Sequence, residues 1–305
     1  MKRIFRASIA LLLLAALFVA IPATMAQDTF GLSQSDFATW TGAVANTASF
    51  STLKMDYTST LNLAGVGADV MWDVRGSAWI DTTSGAFAMT SLGTFNDGTT
   101  AQDINMEVRV VGSMFYVTFD GGETWEGGAI EDAAGAFAGG AGIDPDDVMS
   151  GDFSGLLPEG MGDAMAGLGD FDPAAFVSVA RTGDDFAISV DIPGILGSPA
   201  IAGLLGGALG GSSGEMTAQQ QQQMGMMLGM MFADARLTYN QSVNPATNLV
   251  ERGAFVFALP LDALVGEGAS ITLTMDFDFN GWNAPVSIEA PANFTQMQTP
   301  ALPGM

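Results

Sequence analysis

The sequence predicts an α+β fold: a large, strongly curved antiparallel sheet of about 10–12 strands with helices packed on its concave face. Three observations lead there. Apolar and polar residues alternate with a period of two through most of the chain, as they do when one sheet face is buried and the other wet. Short Gly/Asn/Asp turns separate the alternating runs and join neighbouring antiparallel strands. Between Pro193 and Ala233 a single charge, Glu215, interrupts an otherwise uncharged stretch that reads as an apolar helical pair.

Residues 1–26 read as a targeting segment. Lys2, Arg3 and Arg6 form a positive start, Ile9 to Ile21 an apolar run, and Thr24-Met25-Ala26 a small-residue cleavage site. The apolar run is shorter than the roughly 20 residues of a bilayer span, so the expected product begins near Gln27 and lies outside the cytoplasm, secreted or associated with the cell envelope. Removing the segment leaves six cations against 33 acids. Such a surface repels nucleic acid and anionic headgroups and favours solubility; the chain is expected to be a monomer.

The chain has no cysteine and no histidine. Disulfides, thiolate metal sites, a cysteine nucleophile and a lipid-anchored cysteine are excluded, as are a Ser-His-Asp triad and His-ligated zinc. With 33 acids, carboxylate pairs arise by chance, and Asp276 and Asp278 fall on the wet face of a strand. The chain is expected to be no enzyme and to use no cofactor and no metal.

A short helix is expected first, because Phe37, Trp40 and Val44 recur at helical spacing. Strands follow. In Thr52 to Leu63 the apolar set is Leu53, Met55, Tyr57, Leu61 and Leu63; in the next it is Val70, Trp72, Val74, Ala78 and Ile80. Phe87 and Met89 open a third, Ile104 to Val110 form a fourth, and Gly112-Ser113 turns into Met114 to Phe119. From 127 to 172 the pattern dissolves into a glycine-rich connector whose carboxylates lack the order of a calcium loop. Strand signals return at Ala175 to Arg181 and Phe186 to Ile192, and resume after the helical pair (193–233) with Ala235 to Tyr239, Val250 to Leu259 and Ile271 to Phe279. One domain, 27–291, is expected, followed by a disordered tail, 292–305.

Two short runs carry a family resemblance. The strand-turn-strand VVGSMFYVTFDGGETW ending at Trp125, and the closing FDFNGWNAPVSIEAP ending at Pro291, resemble the LppX/LprG-like exported lipid-binding proteins, related in fold to the LolA/LolB carriers. The resemblance implies an incomplete barrel, a LolA-like half-barrel, with helices on its concave side enclosing a cavity for acyl chains. The chain departs from it in lacking the lipid-anchored cysteine and in the glycine-rich connector.

The candidate cavity lining follows. Helical spacing puts Met224, Met227, Leu228 and Met231 on one face, and flexible thioethers suit either an irregular packing gap or a ligand of variable shape. Leu196, Ile201 and Leu205 come from the first half of the helical pair. Val108, Val110, Phe115, Val117, Leu273, Met275 and Phe277 come from strands. The expected function is that of an exported carrier shielding a lipid or other apolar ligand, with transient contact to a membrane or the cell envelope. The alternative is a structural or surface-interaction protein whose helices fill the sheet completely.

Overall fold

The computed structural model of the chain describes residues 29–65, 69–130, 173–198 and 218–297. The expected targeting segment, the connector from 131 to 172 and residues 199–217 lie outside the described residues.

Helix α1, Gln34–Ala48, opens the described chain. Ser33 caps it: its Oγ accepts the Asp36 N–H at 3.2 Å, satisfying one of the amides that a helix start leaves without a partner. Six strands follow: β1 Thr52–Ala64, β2 Val70–Asp81, β3 Ala86–Asn96, β4 Ala101–Val111, β5 Met114–Thr118 and β6 Glu126–Ala129. After a 3-10 turn at Pro173–Phe176 come β7 Val177–Thr182 and β8 Asp185–Val190. The helical pair is α2 Ile192–Gly197 and α3 Ala218–Met231. Then follow β9 Arg236–Asn244, β10 Leu249–Pro260, the short α4 Asp262–Val265, β11 Ser270–Asn280 and β12 Thr295–Gln296.

The strands form one 12-stranded sheet in the order β12-β6-β5-β4-β3-β2-β1-β11-β10-β9-β8-β7. Neighbours are antiparallel except β12, which runs parallel to β6. Consecutive hairpins build each block, and β1 joins the blocks by pairing with both β2 and β11. The sheet is curved and unclosed, an incomplete barrel whose edges are β7 and β12.

Two glycines explain part of the curvature. A Cβ built on Gly76 in β2 would stand 1.8 Å from the Thr90 carbonyl oxygen, and one on Gly93 in β3 would stand 1.9 Å from that of Asp73. Only residues without a side chain let these strands fold so tightly on one another, and glycine in a strand interior marks such a bend. Gly76 also receives a neighbour, since it lies opposite Tyr57, whose ring crosses the vacant position.

The core lies on one face of the sheet. Trp40 and Ala43 of α1 join Phe30, Leu32 and strand residues from Met55 to Phe277 in one buried cluster. The predicted first helix is therefore present with its apolar side inward, Phe37 and Val44 half-buried beside Trp40. It packs against β10, whereas the main contact of α2 and α3 is with each other.

The far end of the chain departs from expectation. Residues 292–297, placed by sequence in a disordered tail, run along β6. Thr295 donates its amide to the Trp125 carbonyl at 2.8 Å, and Met297 donates to Gly127 at 2.7 Å. Phe294 meets the Tyr116 ring edge-on at 5.1 Å. Two paired residues give too short an alternation to be read as a strand. At the opposite edge the Phe30 carbonyl accepts the Val179 amide of β7 at 2.9 Å.

Candidate functional site: the apolar face of the sheet

Strand alternation decides which side chains reach the apolar face, because successive residues point to opposite sides. In β4 and β5 these include Val108, Phe115 and Val117; in β11 they are Leu273, Met275 and Phe277. All six are buried members of the one cluster, and Val110 packs half-buried against it. The predicted strand residues are thus brought onto a single surface, although β3, β2 and β1 stand between the two groups.

The helical candidates divide differently. Met227 is half exposed and Met231 half-buried. The side chains of Leu196, Met224 and Leu228, and the whole of Ile201 and Leu205, lie outside the described residues. Helix α3 meets α2 through glycine: a Cβ on Gly197 would touch the Gly225 carbonyl at 3.4 Å, and one on Gly229 would touch that of Pro193 at 3.4 Å. Glycine at four-residue spacing lets two helix backbones approach this closely. On another side of α3, Met226, Met227 and Met230 are 55%, 50% and 74% exposed.

Polar groups on the apolar face fall into two kinds. Over β9 and β10 they are satisfied. The Trp40 indole N–H donates to Gln241 Oε1 at 3.2 Å, and the Thr47 hydroxyl accepts the Val250 amide at 3.2 Å. Tyr57 is satisfied too: its hydroxyl lies 2.5 Å from Ser91 Oγ and 3.0 Å from the Thr90 carbonyl oxygen. Burial raises the pKa of Tyr57 above its ordinary value and pushes that of Tyr239 up to about 12. Both phenols stay neutral at physiological pH.

Ser59 and Trp72 differ. Each is 4% exposed, and among the described residues neither Ser59 Oγ nor Trp72 Nε1 has a hydrogen-bond partner. In the β1–β2 register Ser59 faces Val74 and Leu61 faces Trp72, so the two are diagonal neighbours on one face, about 7–8 Å apart at Cα. Met275 lies opposite Ser59 on β11, and Leu273 opposite Leu61. Two hydrogen-bonding atoms therefore sit unpaired in an apolar floor, where an unmade bond is costly.

Neither residue was among the sequence candidates, yet a signal existed for Ser59. It occupies an inward position of β1 where the alternation otherwise places Leu53, Met55, Tyr57 and Leu61. Trp72 reads from sequence as an ordinary inward aromatic; only the structure reveals that its indole lacks an acceptor.

Among the described residues no group of three or more acidic side chains is arranged to hold a metal ion, and no helix is long and apolar enough to cross a membrane. Fold and face together define a class of architecture: an unclosed, curved, largely antiparallel sheet with one apolar face. No known protein family and no curated protein matches the sequence. Among solved structures the chain is similar to the lipoprotein LppX of Mycobacterium tuberculosis, with 11% identity over 84% of this chain and 100% of that one, at a TM-score of 0.36. It is also similar to LprF from Mycobacterium bovis, with 14% identity over 86% of this chain and 99% of that one, at a TM-score of 0.37.

Proposed function

We propose that the chain is an exported binding or carrier protein that shields a lipid or other apolar ligand against the concave face of its sheet, as a monomer outside the cytoplasm. The observation that carries this reading is the continuity of the apolar floor. It runs without a charged side chain from Phe115 and Val117 in β5 through Met106, Met89, Trp72, Val74 and Met55 to Met275 and Phe277 in β11. Partition of an acyl chain onto such a floor is worth about 0.8 kcal/mol per buried CH₂, so a dozen carbons contribute up to about 10 kcal/mol before ordering costs. No covalent step is required. The α2–α3 pair, joined through glycine and bearing flexible methionines, serves in this reading as the pliable side of the site.

A second reading has an observation of its own. The floor residues are themselves buried, as they would be in a protein whose interior is filled by its own chain. The two separate on one experiment. The chain is purified from its expression host, extracted with organic solvent and analysed by lipid mass spectrometry, and the stripped protein is titrated with a fluorescent fatty-acid probe. The carrier reading expects stoichiometric lipid or saturable probe uptake. Absence of both, in a folded protein, establishes the filled interior.

A further inference from the structure

We infer that Ser59 and Trp72 form a polar anchor in the floor of the concave face, and that the ligand carries an uncharged carbonyl, such as an ester, within its apolar part. This rests on the carrier reading. The geometry that motivates it is the diagonal pairing of two buried, unpartnered groups, Ser59 Oγ on β1 and Trp72 Nε1 on β2, in the same face of the sheet.

The chemistry of the pair selects the ligand. The indole N–H can only donate, and a serine hydroxyl can donate as well as accept, so together they suit an acceptor oxygen with two lone pairs. Their neighbours, Val74, Leu61, Met275 and Leu273, offer hydrocarbon contact and nothing polar. Two residues away on the same face, Tyr57 shows what a finished polar group looks like here, with both Ser91 and the Thr90 carbonyl as partners. Ser59 lacks an equivalent.

Charge decides between a carbonyl and a carboxylate. A buried anion needs a cation or several donors beside it. Lys54, Arg75, Arg109, Arg236 and Arg252 occupy strand positions of the opposite face, and Arg181 sits on the edge strand β7, bonded to Asp36 at 2.6 Å. With no described cation at the anchor, a neutral acceptor is favoured over a free fatty-acid headgroup. A wholly hydrocarbon ligand would leave both atoms as unpaired as they are now.

The test compares two probes of equal chain length, a pyrene-labelled fatty-acid methyl ester and a pyrene-labelled alkane, titrated into the full chain and into Ser59→Ala and Trp72→Phe. The wild type is expected to bind the ester about tenfold more tightly than the alkane, the worth of one to two net hydrogen bonds. Each variant should lose most of that preference while keeping its alkane affinity. Equal affinity of the wild type for both probes overturns the anchor and leaves the carrier reading standing. So does an ester preference that survives both substitutions, or a loss that falls equally on the two probes. Binding of neither probe to folded wild type overturns the carrier reading and the anchor with it. Thermal unfolding of the ligand-free Ser59→Ala protein, expected at or above the wild-type midpoint, separates loss of an anchor from loss of fold.

Discussion

Trp40 of helix α1 and Trp72 of strand β2 are the same residue at nearly the same burial, 3% and 4% exposed, at the two halves of one sheet. Over β9 and β10, helix α1 brings Trp40 to Gln241 and Thr47 to the Val250 amide, so that packing and hydrogen bonding are completed together. In the half built from β1 to β5, Trp72 and Ser59 are buried to the same degree without partners. Burial alone therefore does not distinguish a core whose polar groups are paired from one whose polar groups are not. The hydrogen-bond account does, because a buried polar group without a partner costs free energy that a protein ordinarily avoids.

That contrast can be broken from either side. The largest effect is expected from Trp40→Ala, which removes the aromatic that meets Phe30 and Phe37 at 6.1 Å each. It should cost about 3–5 kcal/mol, read as a shift of the denaturation midpoint. Gly76→Ala comes next. The added Cβ is directed at the Thr90 carbonyl oxygen and the Tyr57 hydroxyl, and a loss of about 1–3 kcal/mol is expected from overpacking, with altered near-UV dichroism as Tyr57 is displaced. Gln241→Leu deprives the Trp40 indole of its acceptor and should cost about 1–3 kcal/mol in the same denaturation assay.

Ser59→Ala removes a comparable polar group from the other half, and there the sign reverses. Deleting an unpaired hydroxyl should leave the ligand-free protein unchanged or stabilise it by less than about 1 kcal/mol. A destabilisation as large as that of Gln241→Leu would show that Ser59 is already paired, and the contrast between the halves would collapse.

The smallest effect lies on the outer surface and depends on pH. Hydrogen bonds from the Thr118 hydroxyl, then the Thr124 hydroxyl and amide, hold the Asp120 carboxyl below its ordinary pKa of 3.8. A lowered folded pKa stabilises the protein above the unfolded value, and that contribution disappears as pH falls through the folded one. Asp120→Asn should therefore melt earlier than wild type at pH 7, the two converging as the pH drops below 3.8. Melting curves at several pH values check this.

Much of the fold was legible because alternation is a local signal. The inward sets of β1 and β11 were read correctly, and so was the inward side of α1 from Phe37, Trp40 and Val44. The place of each helix relative to the sheet was not, since it depends on contacts distant in sequence. The apolar pair is the more conspicuous in sequence, whereas the modest α1 is the helix packed on β10. Pairing of Thr295–Gln296 was hidden for a similar reason, as its partner is β6 and two residues carry no period. Within the site, the apolar floor could be read from sequence. The orphaned indole of Trp72 could not, because the lack of an acceptor is a property of everything around it.

The two ends of the sheet have a consequence for how copies of the molecule behave toward one another. An unclosed sheet exposes unpaired amides and carbonyls at its edges, which invite a strand from another chain. Here Phe30 occupies an amide of β7, and Thr295–Gln296 covers β6 with an outermost strand too short to serve as a template. Self-association is thus restrained by a few residues near either end of the described chain. Cutting back the C-terminal side to residue 293 would uncover β6 and leave its edge open to pairing with a strand of another copy.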